Sequence, residues 1–456
     1  MRDYSREFNI YIMENKDIAI SSFRDIHRIT LEEDILNINN AIPIFPRPGL
    51  IDANTIEQIG RDSEQILKII TSLPKRIFNG DLLKFCSYLG FTDTHYELIS
   101  QTFDDNLGLM SRGDLFFDGS GEYKFLEFNV DSSVGGLEIA SVNKVMEDIH
   151  FYREWLNNNN FHYDDPLLNF VNMIKKVTFN KGMKPQECAI AVIDWHTYID
   201  GYMWSLNLIK QYLEDAGFKV ILCNQKEVLF RNGYLYYENE KIDLVYRVFL
   251  SDDALDNPKE LDPILTAYRQ KNLILINGVH TEIYSNKAIF ALLSDPKYEE
   301  YYTKEEKILI DKCIPLTRVL QNENTFISNQ KVNLIEHISQ NKDSYVIKPG
   351  MGYGGESILL GWNLSDEEWN RSISNILNSN IKYVVQERIN PVIEEMPLLY
   401  ENNLIFEKVV MNWGVYVFDD KYSGAMIRGL SNDNHGVINA AQGASMTCTF
   451  YKGSEK

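Results

Sequence analysis

Two short stretches of this chain group side chains suited to polyanions and hard cations. In the first, Ser344-Tyr-Val-Ile-Lys348, an apolar, β-prone run ends on a lysine, and Pro349-Gly-Met-Gly352-Tyr-Gly354-Gly355 follows at once. A lysine on a strand reaches a phosphate oxygen, and glycines, lacking Cβ, let backbone N–H groups approach the same phosphate. The glycines stand between two strand-like runs, so the segment reads as a hairpin lid over an anion. It lacks the Gly-x-x-x-x-Gly-Lys-Ser/Thr order of a Walker loop and the helix start that a dinucleotide fingerprint requires. An ordinary glycine-rich hairpin uses the same residue types.

The second stretch runs Arg112-Gly-Asp114-Leu-Phe-Phe-Asp118-Gly-Ser-Gly121-Glu-Tyr-Lys-Phe-Leu-Glu127-Phe-Asn129. Asp118-Gly-Ser-Gly121 is a turn signal between two β-prone runs, which predicts an antiparallel hairpin. Glu127 and Asn129 are two apart and so share a face, and the hairpin brings Asp114 opposite them. Two carboxylates and an amide carbonyl suit magnesium, which keeps some waters and is completed by nucleotide phosphates. The competing reading is a surface strand with outward polar residues. Phe125, Leu126 and Phe128 weigh against it, because they frame Glu127 as part of a mostly buried strand, where an unpaired carboxylate is costly.

Together the two stretches resemble the ATP-grasp ligases, and within them the circularly permuted branch typified by glutathionylspermidine synthetase and its relatives in natural-product pathways. In that branch an Arg-x-Asp and a following Glu-x-Asn precede the lysine and glycine loop, the order found here from about Arg112 to Asn439. The resemblance implies a mixed α/β fold: an ATP-grasp core in permuted order with a Rossmann-like subdomain. It further implies that Asp114, Glu127 and Asn129 hold magnesium and that Arg112 meets the transferred phosphoryl group or acyl-phosphate. Lys287, in Ser285-Asn-Lys287-Ala-Ile-Phe, and Lys348 resemble the two ATP lysines, with Gly352, Gly354 and Gly355 as the lid. Gln386 and Glu387, in Tyr383-Val-Val-Gln386-Glu387, resemble the hinge that holds adenine and ribose. Without the other motifs, Lys287 reads as a helical N-terminal residue facing water.

Toward the C-terminus, relatives often carry a strand arginine, then an asparagine, then a double glycine. Arg428, Asn439 and Gly443-Ala444 take those places here, so one glycine of that loop is replaced. Arg428 is a candidate for phosphate binding, with a solvated strand arginine as the alternative. The implied cofactors are ATP and magnesium. The implied reaction joins a small-molecule carboxylate to an amine through an acyl-phosphate, with ADP and phosphate released. Two rival readings are an acceptor borne on a carrier protein, and a phosphotransferase or nucleotide-binding protein that performs no ligation.

These motifs need a scaffold of ordinary globular composition. A chain of 456 residues suggests roughly three domain-sized units. We place them at 1–160 (helices and the metal-binding hairpin), 161–280 (a Rossmann-like substrate-binding unit) and 281–456 (the lysine and glycine-loop lobe with closing strands). With 44 % hydrophobic residues the chain buries a sizeable core. A formal charge of -20 argues against nucleic acid or anionic membrane as a main partner. No apolar h-region follows Met1-Arg-Asp-Tyr-Ser-Arg and no apolar run is long enough to span a bilayer, so the expected location is cytoplasmic. Five dispersed cysteines, Cys86, Cys188, Cys223, Cys313 and Cys448, without a Cys-x-x-Cys pair, read as reduced thiols rather than a zinc site.

Apolar spacing predicts helices over 56–73, 80–89 and 137–148, with Asn157 to Asn160 as a loop. An alternating unit follows: a strand at 188–193, a helix at 205–216 stopped by Gly217, and strands at 219–223 and 242–249. That alternation predicts a small parallel sheet with crossover helices. Ligands of such sheets bind beyond the carboxyl ends of the strands, which nominates Asp194, Trp195 and His196 after the first strand, and Arg247 on a later one. Arg247 either grips a substrate carboxylate bidentately or pairs with Asp243 or Asp252. Tyr198, Tyr202 and Trp204 either line a pocket for an amine or aromatic group or belong to the core.

Overall fold

The computed structural model describes residues 3–32, 42–103, 109–131, 134–352, 354–355, 357–400, 403–433 and 436–453. The expected hairpin forms from Met110–Phe117 and Tyr123–Asn129, closed by the turn at Asp118, whose carboxylate accepts from Ser120 N at 2.8 Å. It joins one side of an eight-stranded sheet. Crossing that sheet, the strands are Gly49–Asp52, Ser445–Lys452, Lys421–Ser431, Asn403–Phe418 and then the hairpin; Ile393–Tyr400 also pairs with Asn403–Phe418, and Phe161–His162 with Ser445–Lys452. Gly49–Asp52 runs parallel to Ser445–Lys452, so residues 400 apart lie side by side, with Gly49 opposite Thr449.

The helix Ala53–Phe78 buries Ile56, Ile59, Ile66, Ile70 and Leu73, the three- and four-residue spacing seen in the sequence. Asp52 caps its start by accepting from Thr55 N at 2.9 Å, and Asn79 in the left-handed conformation ends it. Each such buried aliphatic side chain contributes about 1.5–3 kcal/mol relative to exposure. The next helix begins at Leu82 rather than at Gly80. Gly80 is spent on the turn at φ 79°, and Asp81 supplies the cap.

A second, four-stranded sheet is wholly parallel, in the order Ile274–Ile276, Leu244–Arg247, Ala189–Asp194, Lys219–Asn224. All six residues of Ala189–Asp194 are buried, as a parallel strand covered on both faces requires. Its crossover helix, Ile199–Asp215, starts six residues before the expected Ser205, because the turn after Trp195 winds directly into it: Ile199 N donates to Trp195 O at 3.1 Å. The single strand expected over 242–249 is split at Asp243. Glu240–Ile242 belongs to a three-stranded meander and Leu244–Arg247 to the parallel sheet, while the Asp243 side chain accepts from Ala189 N at 3.1 Å.

The third sheet is antiparallel, with Thr317–Val319, Tyr383–Glu387, Tyr345–Pro349 and Leu359–Leu360 in order. Tyr345–Pro349 and Leu359–Leu360 are the two arms of the glycine-rich hairpin. Helices Leu334–Gln340 and Asp366–Leu377 give this lobe its own small core around Trp369, Ile338 and Ile347. Among the described residues no helix is long and apolar enough to cross a membrane.

Candidate active site

A cleft of about 470 Å³ lies between the eight-stranded sheet and the glycine-loop lobe, lined by Arg112, Asp114, Glu127, Asn129, Lys287, Lys348 and Arg428 together. On the sheet side, Asp114 pairs in register with Glu127 and Arg112 with Asn129. Alternation puts these four side chains on one face, and a bulge after Asp114 then sets Leu115 opposite Phe125.

Asp114 is the hub of this face. Arg112 donates from Nε to Oδ1 at 2.7 Å and from Nη2 to Oδ2 at 3.1 Å, a bidentate grip. Asn129 Nδ2 donates to Oδ2 at 3.1 Å, and Arg428 Nη2 donates to the same oxygen at 2.7 Å. Burial alone would raise the pKa of Asp114, but the two guanidinium groups outweigh it and hold the carboxyl down at about 2. Arg112 also donates from Nη1 to the carbonyls of Val134 and Gly135.

From the opposite side, Lys287 Nζ lies 3.2 Å from Glu127 Oε2 and donates to Gly352 O at 3.2 Å. It stands at the residue before the helix Ala288–Ser294, and its side chain is 10 % exposed, so it points into the cleft rather than to water. Lys348 Nζ donates to Gln386 Oε1 at 2.8 Å, a neutral acceptor. Burial pushes the Lys348 ammonium down to about 8, opposed by the attraction of Glu127. The Glu127 carboxyl is raised by burial but lies below its usual range overall, because Lys287 and Lys348 face it. Gln386 is buried, whereas Glu387 is exposed at the rim.

Five cationic side chains (Arg112, Lys287, Lys348, Arg388, Arg428) face three carboxylates (Asp114, Glu127, Glu387) in this lining. Among the described residues the lining thus carries two net positive charges, in a chain of net charge -20. That local reversal suits a polyphosphate. Toward Gln386 and Glu387 the wall becomes apolar, with Phe116, Leu126, Val346, Leu360 and Ile389, which suits a flat base. The Asp114, Glu127 and Asn129 oxygens are hard donors, few enough that a magnesium ion there would keep waters and take phosphate oxygens, so the set fits that ion. At the lid, Gly354 and Gly355 have φ of 66° and 77°, and a Cβ on Gly355 would stand 2.8 Å from Val437 Cγ1. Conformation favours glycine at both positions, and at Gly355 space does so as well.

Two expected substrate residues lie elsewhere. Arg247 is 1 % exposed and faces inward: Nη1 donates to Glu282 Oε1 at 2.6 Å and Phe249 O at 2.7 Å, and Nε to Asn277 O at 2.7 Å. The reading of Arg247 as a substrate-carboxylate clamp is therefore corrected. It is a buried structural arginine, and its ion-pair partner is Glu282 rather than Asp243 or Asp252. Asp194 ends its strand as expected but does not line the cleft. It is buried, accepts from Trp195 N at 2.8 Å, and is pushed up to about 6 by burial. His196 is exposed beside Gln225 and Lys226, Tyr198 and Tyr202 are exposed, and Gly443 closes a turn outside the cleft lining while Asn439 lines it.

The sequence reading passed over Asn412, Trp362 and Arg388. Asn412 is a lone amide in the apolar strand Val409-Val-Met-Asn412-Trp-Gly-Val, a pattern that signals a polar group aimed at a partner. Its Oδ1 accepts from Arg428 Nη2 at 2.8 Å. Arg388, just past the strand Tyr383–Glu387, stacks over the ring of Trp362, in the 3₁₀ turn Gly361–Asn363, at 3.9 Å to its centroid, and no spacing in the sequence links the two.

The family model of the glutathionylspermidine synthase preATP-grasp family matches residues 49–433. The putative glutamate--cysteine ligase 2-2 of Frankia casuarinae is 22 % identical over 219 residues, covering 46 % of this chain and 23 % of the relative. The match therefore spans about a quarter of that relative's length. Among solved structures, a glutathione synthetase-like effector from Globodera pallida in its apo form superposes with a TM-score of 0.64 at 10 % identity, over 95 % of this chain and 97 % of that one. A putative gamma-glutamylcysteine synthetase from Methylobacillus flagellatus gives 0.42 at 13 % identity, over 83 % and 87 %. With a family match over most of its length and a mixed α/β fold shared with a glutathione synthetase-like structure, the chain belongs to the glutathionylspermidine synthase preATP-grasp family.

Proposed function

We propose that this chain binds ATP with magnesium in the cleft and uses it to join a small-molecule carboxylate to an amine. The observation that carries this reading is the convergence of Lys287, Lys348, Arg112 and Arg428 on a cleft floored by Asp114 and Glu127. Lys348 and Lys287 bind the triphosphate, and Gly352, Gly354 and Gly355 close over it. Gln386 orients Lys348, and the chain at Gln386 and Glu387 receives the base and ribose. Asp114, Glu127 and Asn129 would hold the metal, which supplies charge neutralisation between phosphate groups. Arg112 and Arg428 face the transferred phosphoryl group, the position at which cationic donors stabilise developing charge.

A substrate carboxylate oxygen forms a bond to the γ-phosphorus, the bond from that phosphorus to the ADP oxygen breaks, and ADP leaves. The amine nitrogen then attacks the acyl carbon, the carbon–oxygen bond to phosphate breaks, and the proton passes to solvent. No protein nucleophile takes part, in keeping with five buried cysteines whose burial leaves them protonated. The matched relative's name, a glutamate–cysteine ligase, supports amino acids or short peptides as substrates and a role in peptide or amine metabolism. We read the acceptor as a free amine, the parallel-sheet unit at 161–280 as the part that helps bind it, and the location as cytoplasmic. A carrier-borne acceptor draws no support from these relatives. ADP release measured against a panel of amino acids and amines tests the reading: stimulation that requires both a carboxylate and an amine supports it, and ATP turnover indifferent to any amine counts against it.

A further inference from the structure

Asn412 lies directly opposite Arg428 on neighbouring strands, and its side chain is buried. Its Nδ2 donates to Leu115 O at 3.2 Å, at the bulge just after Asp114, which fixes the orientation of the amide. Oδ1 must then face Arg428, where it accepts from Nη2 at 2.8 Å. That nitrogen is the one that also donates to Asp114 Oδ2 at 2.7 Å.

Asp114 Oδ2 already receives three donors, from Arg112, Asn129 and Arg428. A carboxylate oxygen offers about two lone pairs, so this atom is over-subscribed before any cation arrives. Oδ2 already carries the Arg112 and Arg428 guanidinium groups, so a metal ion there would be a third cation on one buried oxygen, and Arg428, which holds the carboxylate by that oxygen alone, is the group displaced. Arg112 remains on Oδ1 and keeps the carboxylate charged, whereas Arg428 must yield. Arg428 Nε, meanwhile, is buried without a hydrogen-bond partner among the described residues.

Resting on the ATP and magnesium reading above, we propose that Asn412 is a positioning residue that retains Arg428 when the metal takes its place on Asp114. Arg428 in the nucleotide-free protein occupies the metal face of Asp114. Asn412 Oδ1 holds the displaced guanidinium at the edge of the cleft, facing the phosphoryl group, so that it neither drifts away nor competes for the metal.

The test uses the full chain with Mn²⁺ as the probe, counted as free ion by electron paramagnetic resonance, with and without a non-hydrolysable ATP analogue. Without nucleotide, Arg428→Ala binds Mn²⁺ at least about threefold more tightly than the natural chain, because a competitor is gone. With the analogue, Asn412→Leu binds Mn²⁺ about tenfold more weakly, because Arg428 then has Asp114 as its one remaining acceptor among those described here. In the Arg428→Ala background the same Asn412→Leu change has no further effect. Equal Mn²⁺ affinity in Arg428→Ala and the natural chain overturns the proposal, as does an Asn412→Leu effect that persists without Arg428. Should Asn412→Leu fail to fold, Asn412→Ala is measured in its place, and an Asn412→Ala chain whose Mn²⁺ affinity with the analogue equals that of the natural chain overturns the proposal. A natural chain that binds neither Mn²⁺ nor the analogue instead overturns the ATP and magnesium reading beneath it.

Discussion

Glu127 and Lys287 are paired at 3.2 Å across the cleft, and the same ammonium donates to the carbonyl of Gly352, so one lysine ties the hairpin of Asp114 and Glu127 to the glycine loop. The pair stands where metal and phosphate would separate it: a cation on Glu127 frees Lys287 for a phosphate oxygen.

Replacing Glu127 by glutamine keeps shape but removes the charge that faces both lysines and would face the metal. Turnover is expected to fall at least about a hundredfold, the upper end for disturbing a metal site. The melting temperature without nucleotide should hardly move, because the side chain is 26 % exposed and its ion pair is partly solvated. Steady-state rates and thermal melts on one preparation check both, and a Glu127→Gln enzyme with natural activity would take this residue out of the mechanism.

The lowered pKa of Lys348 fixes a pH dependence. Its ammonium is charged below about pH 8 and is lost as the pH rises through that value. Bound triphosphate favours the charged form, so nucleotide binding between about pH 8 and 9 takes up a proton and weakens above that range. Calorimetry of ATP-analogue binding in buffers of different ionisation enthalpy measures the uptake directly. Lys348→Met abolishes the uptake; proton uptake of the same size in that variant would move its source to another group.

At the lid, Gly355→Val places a β-branched side chain at a φ of 77° and within 2.8 Å of Val437. We expect the KM for ATP to rise about tenfold or more while the fold survives, because the strain falls on the loop and not on a core strand. Unaltered ATP kinetics would restore the plain-hairpin reading of this segment.

Arg247 supplies the contrasting case. Arg247→Met strands Glu282 in a site where the carboxylate is 0 % exposed, and breaking a buried pair in this way costs about 3–5 kcal/mol. Denaturant unfolding should register that loss. A variant with unchanged stability but a raised KM for the carboxylate substrate would return Arg247 to the binding site.

The difference between Arg247 and Asp114 explains what the sequence could reveal. Asp114, Glu127 and Asn129 are set by one hairpin, so alternation and a turn signal suffice to bring them together, and Lys348 is legible because an apolar strand ends on it. The partner of Arg247 is 35 residues away in a 3₁₀ segment, Val279–Ser285, and no periodicity points from one to the other. Asn412 acquires its meaning from Arg428 across a strand pairing, and the parallel contact of Gly49 with Thr449 joins the two ends of the chain. Local pattern encodes elements, whereas register between distant strands is fixed by burial of both faces at once. The bulge at Asp114 is a further case, since its extra residue, Leu126, looks like any other apolar strand position.

Ligation through an acyl-phosphate is tested most directly by following one oxygen atom. With ¹⁸O in the substrate carboxylate, the oxygen that attacks the γ-phosphorus leaves with it when the amine displaces phosphate. One labelled oxygen must therefore appear in inorganic phosphate for each amide formed, with ADP as the nucleotide product. Unlabelled phosphate, label in AMP alongside pyrophosphate, or a phosphorylated small molecule as the final product would each contradict ligation by this route.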